Sequence, residues 1–172
     1  NCIDRHVLRG YGNKTALIFE SDDGSYFPVT YCDLQEMVIK TAQAMRSFGI
    51  NKGDFIGMCM SISVEAAVIM FAAFRIGAVC MQPPARLAPQ EITEYINEAE
   101  ANILFINDGY VRGGKRVSLE DTFNSADQNC PALRNIIILP KLSDKKLTGP
   151  KNWTWDEFLQ KDHPSEGLLS RP

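Results

Sequence analysis

The sequence predicts an α/β fold, a parallel or mixed sheet layered between helices on both faces. Short apolar runs at residues 55–60, 78–81, 103–106 and 135–139 show no alternation with polar residues. Parallel strands covered on both sides read that way. Between the runs lie stretches with helical spacing of apolar residues, which places a crossover helix between successive strands. A third observation bounds the central helix. Ser63 offers a hydroxyl to its free first-turn amides, and Gly77 can close its last turn in the left-handed region.

The elements follow in order. Residues 1–12 include Cys2-Ile3-Asp4-Arg5-His6-Val7-Leu8, compatible with a helical turn or two, and Asn1 stands where an initiator Met would, so the chain reads as a piece of a longer one. Residues 16–20 and 26–30 predict two strands joined by a turn, and Pro28 confines the second to a sheet edge. Thr30 caps a helix over 31–48, with Asp33 completing an approximate capping box. Leu34, Met37, Val38, Thr41, Ala42, Met45 and Phe48 recur there at three- and four-residue steps, and Gly49 ends the run. The helix over 64–76 is apolar nearly all round, broken only by Glu65 and Arg75, which predicts burial on most sides. It is too short to span a membrane.

Pro89 opens an amphipathic helix reaching Ala99, and a shorter helix is expected over 119–127. From Pro140 onward charge and turn residues dominate, apart from a short helix over 155–160. The expected organisation is a compact core over 1–140 and a looser tail over 141–172, tacked down by Trp153 and Trp155.

Composition narrows the function. With 172 residues, 45% hydrophobic and 23% charged, the chain is globular in character. A formal net charge of -3 gives no bulk attraction to nucleic acid or an anionic membrane. The five cysteines are scattered, and Cys59 and Cys80 fall in predicted buried strands, so a reducing, cytoplasmic compartment without disulfides is expected. No cysteine pair has metal-ligand spacing, and only His6 and His163 could join them, so no metal site is expected.

One stretch carries possible chemistry. Gly109-Tyr110-Val111-Arg112-Gly113-Gly114-Lys115 follows a predicted strand with the spacing of a phosphate-binding loop. The next residue is Arg116, where such a loop needs a Mg²⁺-ligating Ser or Thr. What remains is three cations, Arg112, Lys115 and Arg116, set among glycines at the sheet edge where α/β proteins bind ligands. The plain alternative is a surface turn with solvated charges. A second connection, Gln82-Pro83-Pro84-Ala85-Arg86-Leu87-Ala88-Pro89, also leaves the carboxyl end of a predicted strand.

These residues carry a resemblance. Asn1-Cys2-Ile3-Asp4-Arg5-His6, Lys14-Thr15-Ala16-Leu17-Ile18-Phe19-Glu20, Val29-Thr30-Tyr31-Cys32-Asp33-Leu34 and Phe48-Gly49-Ile50-Asn51-Lys52-Gly53-Asp54 are its first segments. Glu65-Ala66-Ala67-Val68, Arg75-Ile76-Gly77-Ala78-Val79, Ala88-Pro89-Gln90-Glu91 and the stretch 108–119 continue it. Collinear over nearly the whole chain, they resemble the N-terminal part of an acyl-CoA synthetase of the adenylate-forming (AMP-binding) superfamily, in its acetyl-CoA synthetase-like group.

The resemblance implies that residues 1–172 are part of the large N-terminal, AMP-binding domain of a ligase. Such an enzyme joins a small-molecule carboxylate to CoA through an acyl-adenylate, using ATP and Mg and releasing pyrophosphate and AMP. In that family the ATP-phosphate loop, the nucleotide contacts, the acyl pocket and the catalytic lysine lie further along. The resemblance therefore assigns no catalytic or metal-binding residue here, and implies that this piece alone is inactive and holds no tightly bound ligand. It does imply a CoA-binding surface at Arg112, Gly114 and Lys115, with Ala85 and Arg86 where the group usually has a Gly-Gly pair. That departure points to a relative outside the strict acetate enzymes. Two other readings stay open: a non-catalytic nucleotide- or phosphate-binding module using Gly109 to Lys115, and a purely structural piece whose apolar faces serve assembly.

Overall fold

A computed structural model describes residues 2–21, 24–84, 87–142 and 147–161. Ala85, Arg86 and residues 162–172 lie outside the described residues. The chain opens with α1 (Asp4–His6) and a π-helical turn (Val7–Tyr11), then a hairpin of β1 (Thr15–Glu20) and β2 (Tyr26–Thr30). There follow α2 (Tyr31–Ser47), β3 (Phe55–Cys59), α3 (Val64–Ile76), β4 (Val79–Met81), α4 (Pro89–Glu98) and β5 (Ile103–Asn107). A second hairpin, β6 (Gly109–Arg112) and β7 (Lys115–Ser118), precedes α5 (Glu120–Asn129), β8 (Asn135–Leu139), β9 (Asn152–Thr154) and α6 (Trp155–Gln160).

Local chemistry accounts for the helix boundaries. The Thr30 side chain accepts from the Asp33 amide while Asp33 Oδ2 accepts from Thr30 N, a reciprocal box that starts α2. Ser63 Oγ accepts from Ala66 N at 3.1 Å to start α3, and Gly77 at φ 76° stops it. Ala88 is a poor cap, but its amide donates to Glu91 Oε2 at 2.8 Å and Pro89 needs no amide partner, so α4 still starts cleanly.

Five strands form one parallel sheet in the order β4-β3-β5-β8-β9. Alternate residues of each strand enter opposite cores. Ile103 and Phe105 of β5, with Ile137 and Leu139 of β8, face a core closed by α2, α3 and α6. Leu104, Ile106, Ile136 and Ile138 face the other, closed by Ile92 and Ile96 of α4 and Phe123 and Ala126 of α5. The predicted layering, a sheet with helices on both faces, is thus the observed one.

Two expectations meet a different structure. Composition predicts a loose tail after residue 140, yet β9 pairs in parallel with β8 and Phe158 of α6 is fully buried. Trp153 Nε1 donates to Asn135 Oδ1 at 3.1 Å, and Phe48 meets the Trp153 and Phe158 rings at 5.1 Å. Each buried aromatic brings far more apolar area than the surrounding polar residues suggest. The second concerns α3. Val68, Ile69, Ala72, Ala73 and Ile76 are buried, but Phe74 on the opposite side is 59% exposed, so this apolar helix is covered on one face only.

One ion pair locks the N-terminal turn onto this body. Arg75 Nη1 lies 2.8 Å from Asp4 Oδ2, the two side chains are only 10% and 11% exposed, and Gln35 Nε2 donates to Asp4 Oδ1 at 2.7 Å. Burial works to raise the Asp4 carboxyl, but the Gln35 and Arg75 hydrogen bonds and the Arg75 charge outweigh it and hold the group below its ordinary 3.8. A carboxyl depressed by folding adds stability above its unfolded value and loses it as pH falls through the folded value. Asp4→Ala is expected to cost on the order of 3 kcal/mol at neutral pH by leaving Arg75 buried and unpaired. The gap in melting temperature between variant and native chain should close as pH drops below 3.8. A gap that stays constant down to strongly acid pH would show that the charge is not what Asp4 contributes.

Candidate functional site at the carboxyl edge of the sheet

The strand order reverses between β3 and β5, and open α/β sheets bind ligands outside the carboxyl ends of the strands at such a point. Asn107, which ends β5, is fully buried there. Its Oδ1 accepts from Ser61 N at 2.9 Å and Ser61 Oγ at 3.1 Å, and its Nδ2 donates to Leu139 O at 2.9 Å. One amide therefore ties the ends of three neighbouring strands, β3, β5 and β8. The next residue, Asp108, accepts from Lys141 N at 2.6 Å and from Leu142 N at 3.0 Å, and its carbonyl accepts from Leu119 N at 3.0 Å. The β6–β7 hairpin is thus clamped at its base.

Within the hairpin Arg112 pairs with Lys115 and Tyr110 with Val117, while Val111 pairs with Arg116. The turn is Gly113-Gly114, with φ 56° and 73°, the two left-handed residues that a two-residue hairpin turn requires. Alternation puts Tyr110, Arg112, Lys115 and Val117 on one face. Arg116 on the other face donates Nη2 to Leu142 O at 3.4 Å. Gly109 lies against that side too, since a Cβ there would overlap the Leu142 side chain and the Val117 carbonyl. On the first face Tyr110 packs with Met81 and Leu87, the residues flanking the connection after β4.

This geometry corrects the phosphate-loop reading. Such a loop runs from a strand into a helix N-terminus, so that successive amides surround the anion. Here Gly109 to Lys115 are two paired strands and a tight turn, with their amides directed across a ladder, and α5 begins only at Glu120. The cluster of three cations also divides: Arg116 is engaged with Leu142, while Arg112 and Lys115 are exposed. Neither of those two side chains has a hydrogen bond or ion pair among the described residues. They sit directly opposite each other, where like charges repel. Gly114 is exposed in the turn between them, and Ala85 and Arg86 lie outside the described residues.

Asn107 and Tyr110 escaped the sequence reading. A polar residue closing an apolar strand was the available signal for Asn107, and two-residue spacing from Arg112 the signal for Tyr110. Beside the hairpin runs a groove of about 470 Å³, bounded by Phe19, Ser61, Ile62, Val111, Lys141 and Leu142. A second, of about 380 Å³, lies among α2, α3 and α6 at Met37, Val68, Trp155 and Leu159.

No reactive nucleophile emerges among the cysteines. All five are free thiols, and burial pushes Cys59 and Cys80 up to about 11, leaving both protonated at neutral pH. Burial likewise raises Cys130, against the opposing Lys151 charge. Among the described residues no cluster of metal-ligating side chains is present and no helix is long and apolar enough to cross a membrane.

Comparison with known proteins places this geometry. The family model described as AMP-binding enzyme matches residues 4–166. The acetyl-coenzyme A synthetase of Thiobacillus denitrificans is 36% identical over 169 residues, covering 93% of this chain and 25% of that protein. That of Laribacter hongkongensis is 34% identical over 158 residues, covering 91% and 24%. In fold, the acetoacetyl-CoA synthetase from Streptomyces lividans superposes with a TM-score of 0.82 at 23% identity, over 95% of this chain and 25% of that one. The chain spans about a quarter of the length of these relatives. A match running through α1, the five-stranded sheet and α6 leaves one conclusion: the chain belongs to the AMP-binding enzyme family.

Proposed function

We propose that this chain is the front part of the large N-terminal domain of an ATP-dependent acyl-CoA synthetase, serving as scaffold and as part of the surface that binds the nucleotide end of CoA. The observation that carries the reading is the pair Arg112 and Lys115, two exposed cations facing each other on a clamped hairpin at the carboxyl edge of the sheet. Opposed cations without a carboxylate partner are unfavourable by themselves and become favourable when an anion with more than one charge bridges them. Gly114 between them lets an anion approach the backbone closely. The Tyr110 face looks toward Met81 and Leu87, so the connection that holds Ala85 and Arg86 belongs to the same surface in this reading.

The remaining parts follow from the relatives. Acetyl-CoA synthetases match this chain over about a quarter of their length, and the proposed parent converts a carboxylate, ATP and CoA into acyl-CoA, AMP and pyrophosphate through an acyl-adenylate. ATP, Mg and the carboxylate would be held by the rest of the parent chain, in the cytoplasm. CoA, when bound, supplies the thiol that accepts the acyl group. The residues described here would act at its other end, neutralising phosphate charge and fixing orientation, so they belong to the second half-reaction only. Their paired-strand geometry removes support from the alternative of a stand-alone phosphate loop.

Two measurements test this. Phosphoryl chemistry needs preorganised cations and donors at the transferring group, and the chain alone should show no carboxylate-dependent exchange of pyrophosphate into ATP; measurable exchange would place chemistry inside this region. In the full-length parent, Arg112→Ala should raise the KM for CoA about ten-fold, the worth of one exposed charge-assisted contact. Adenylate formation should stay nearly unchanged. Equal loss in both half-reactions would assign the hairpin a folding role instead.

A further inference from the structure

We propose that Tyr110 is a specificity-determining residue of this surface: its ring, with Val117 beside it, is the platform on which the purine base of the bound nucleotide lies. The inference rests on the CoA-nucleotide reading and adds to it the residue that selects the base. Three observations converge on it. The register places Tyr110 and Val117 opposite each other on the same hairpin face as Arg112 and Lys115, one cross-strand pair further from the turn. That separation is two residues of strand, about 7 Å, the reach from a base to a ribose phosphate. The Tyr110 ring is also held, packing against Met81 and Leu87, so a ligand would meet a fixed surface.

The opposite hairpin face is already used. Arg116 holds the Leu142 carbonyl, and Gly109 lies flush against the Leu142 side chain. Only one face can receive a ligand, and that face combines an aromatic ring, an aliphatic side chain and two cations. A simple inorganic anion would use the cations and leave the ring idle. A flat aromatic group carrying phosphate uses all four side chains: the base stacks on the phenol and covers Val117, while the phosphates bridge Arg112 and Lys115. The surface therefore fits a phosphorylated purine nucleoside.

The test titrates this chain by NMR with two probes, adenosine 3′,5′-bisphosphate and inorganic pyrophosphate. Native chain should bind the nucleotide more tightly than pyrophosphate, with a dissociation constant in the range of about 1 mM. Tyr110→Leu should weaken nucleotide binding about ten-fold, as loss of one base-stacking contact does, and leave pyrophosphate binding unchanged. Tyr110→Phe should retain both. Arg112→Ala should weaken both probes. Equal weakening of both probes in Tyr110→Leu, or loss in Tyr110→Phe, would show that Tyr110 only supports the hairpin and overturn the inference. A nucleotide bound no better than pyrophosphate would overturn it while leaving the cation surface standing. No shift with either probe at about ten times that concentration would overturn the CoA reading together with it.

Discussion

The structure depends on burying β5. Every residue from Ile103 to Asn107 is out of solvent, and neighbours on both sides satisfy the strand's backbone. Such a strand demands a helical layer on each face, which α2, α3 and α6 supply on one side and α4 and α5 on the other. It also ends in an amide that cannot reach water. An unpaired buried amide is costly, and Asn107 is satisfied only because Ser61 and Leu139 arrive at the same place. The carboxyl edge is therefore rigid because the core is deep, and the candidate surface inherits that rigidity.

The hairpin shows how a short segment acquires a direction. Asp108 fixes its base through the amides of Lys141 and Leu142, and the paired glycines at 113 and 114 fix its tip. A two-residue turn allows only one register, and register decides which side chains share a face. Arg116 is consequently a structural cation holding Leu142, while Arg112 and Lys115, one and four residues from its cross-strand partner Val111 and from it, stand on the far side. Three cations that look equivalent along the chain have two different jobs.

The apolar surfaces follow the same logic at larger scale. Phe74 on α3 is 59% exposed and Ile62 is 88% exposed, while the inner side of α3 is fully packed. The relatives are about four times as long as this chain, so the family's fold has much more polypeptide to place around this unit. The aromatic cluster of Phe48, Trp153, Phe158, Phe105 and Trp155 gives the unit a closed face of its own at α6.

By itself the sequence determined the elements that local chemistry controls. The helix at Val64–Ile76 and the strand at Asn135–Leu139 fall where capping residues and apolar runs put them, and the Thr30–Asp33 box forms as its spacing requires. Those signals act within a turn or a strand, so they are written in consecutive residues. The parallel sheet and its layers were legible for the same reason, because continuous apolar strands must be covered twice. Only the tertiary structure decided the rest. Glycine and lysine spacing suggested a loop at residues 109–115, and pairing across β6–β7 made it a hairpin. Charge suggested a loose tail beyond residue 140, and contacts with Phe48 and Asn135, a hundred and some twenty residues away from the tail's aromatics, drew it into the core. Partners distant in sequence settle both cases, since no local pattern records which strand edge or which ring will stand opposite.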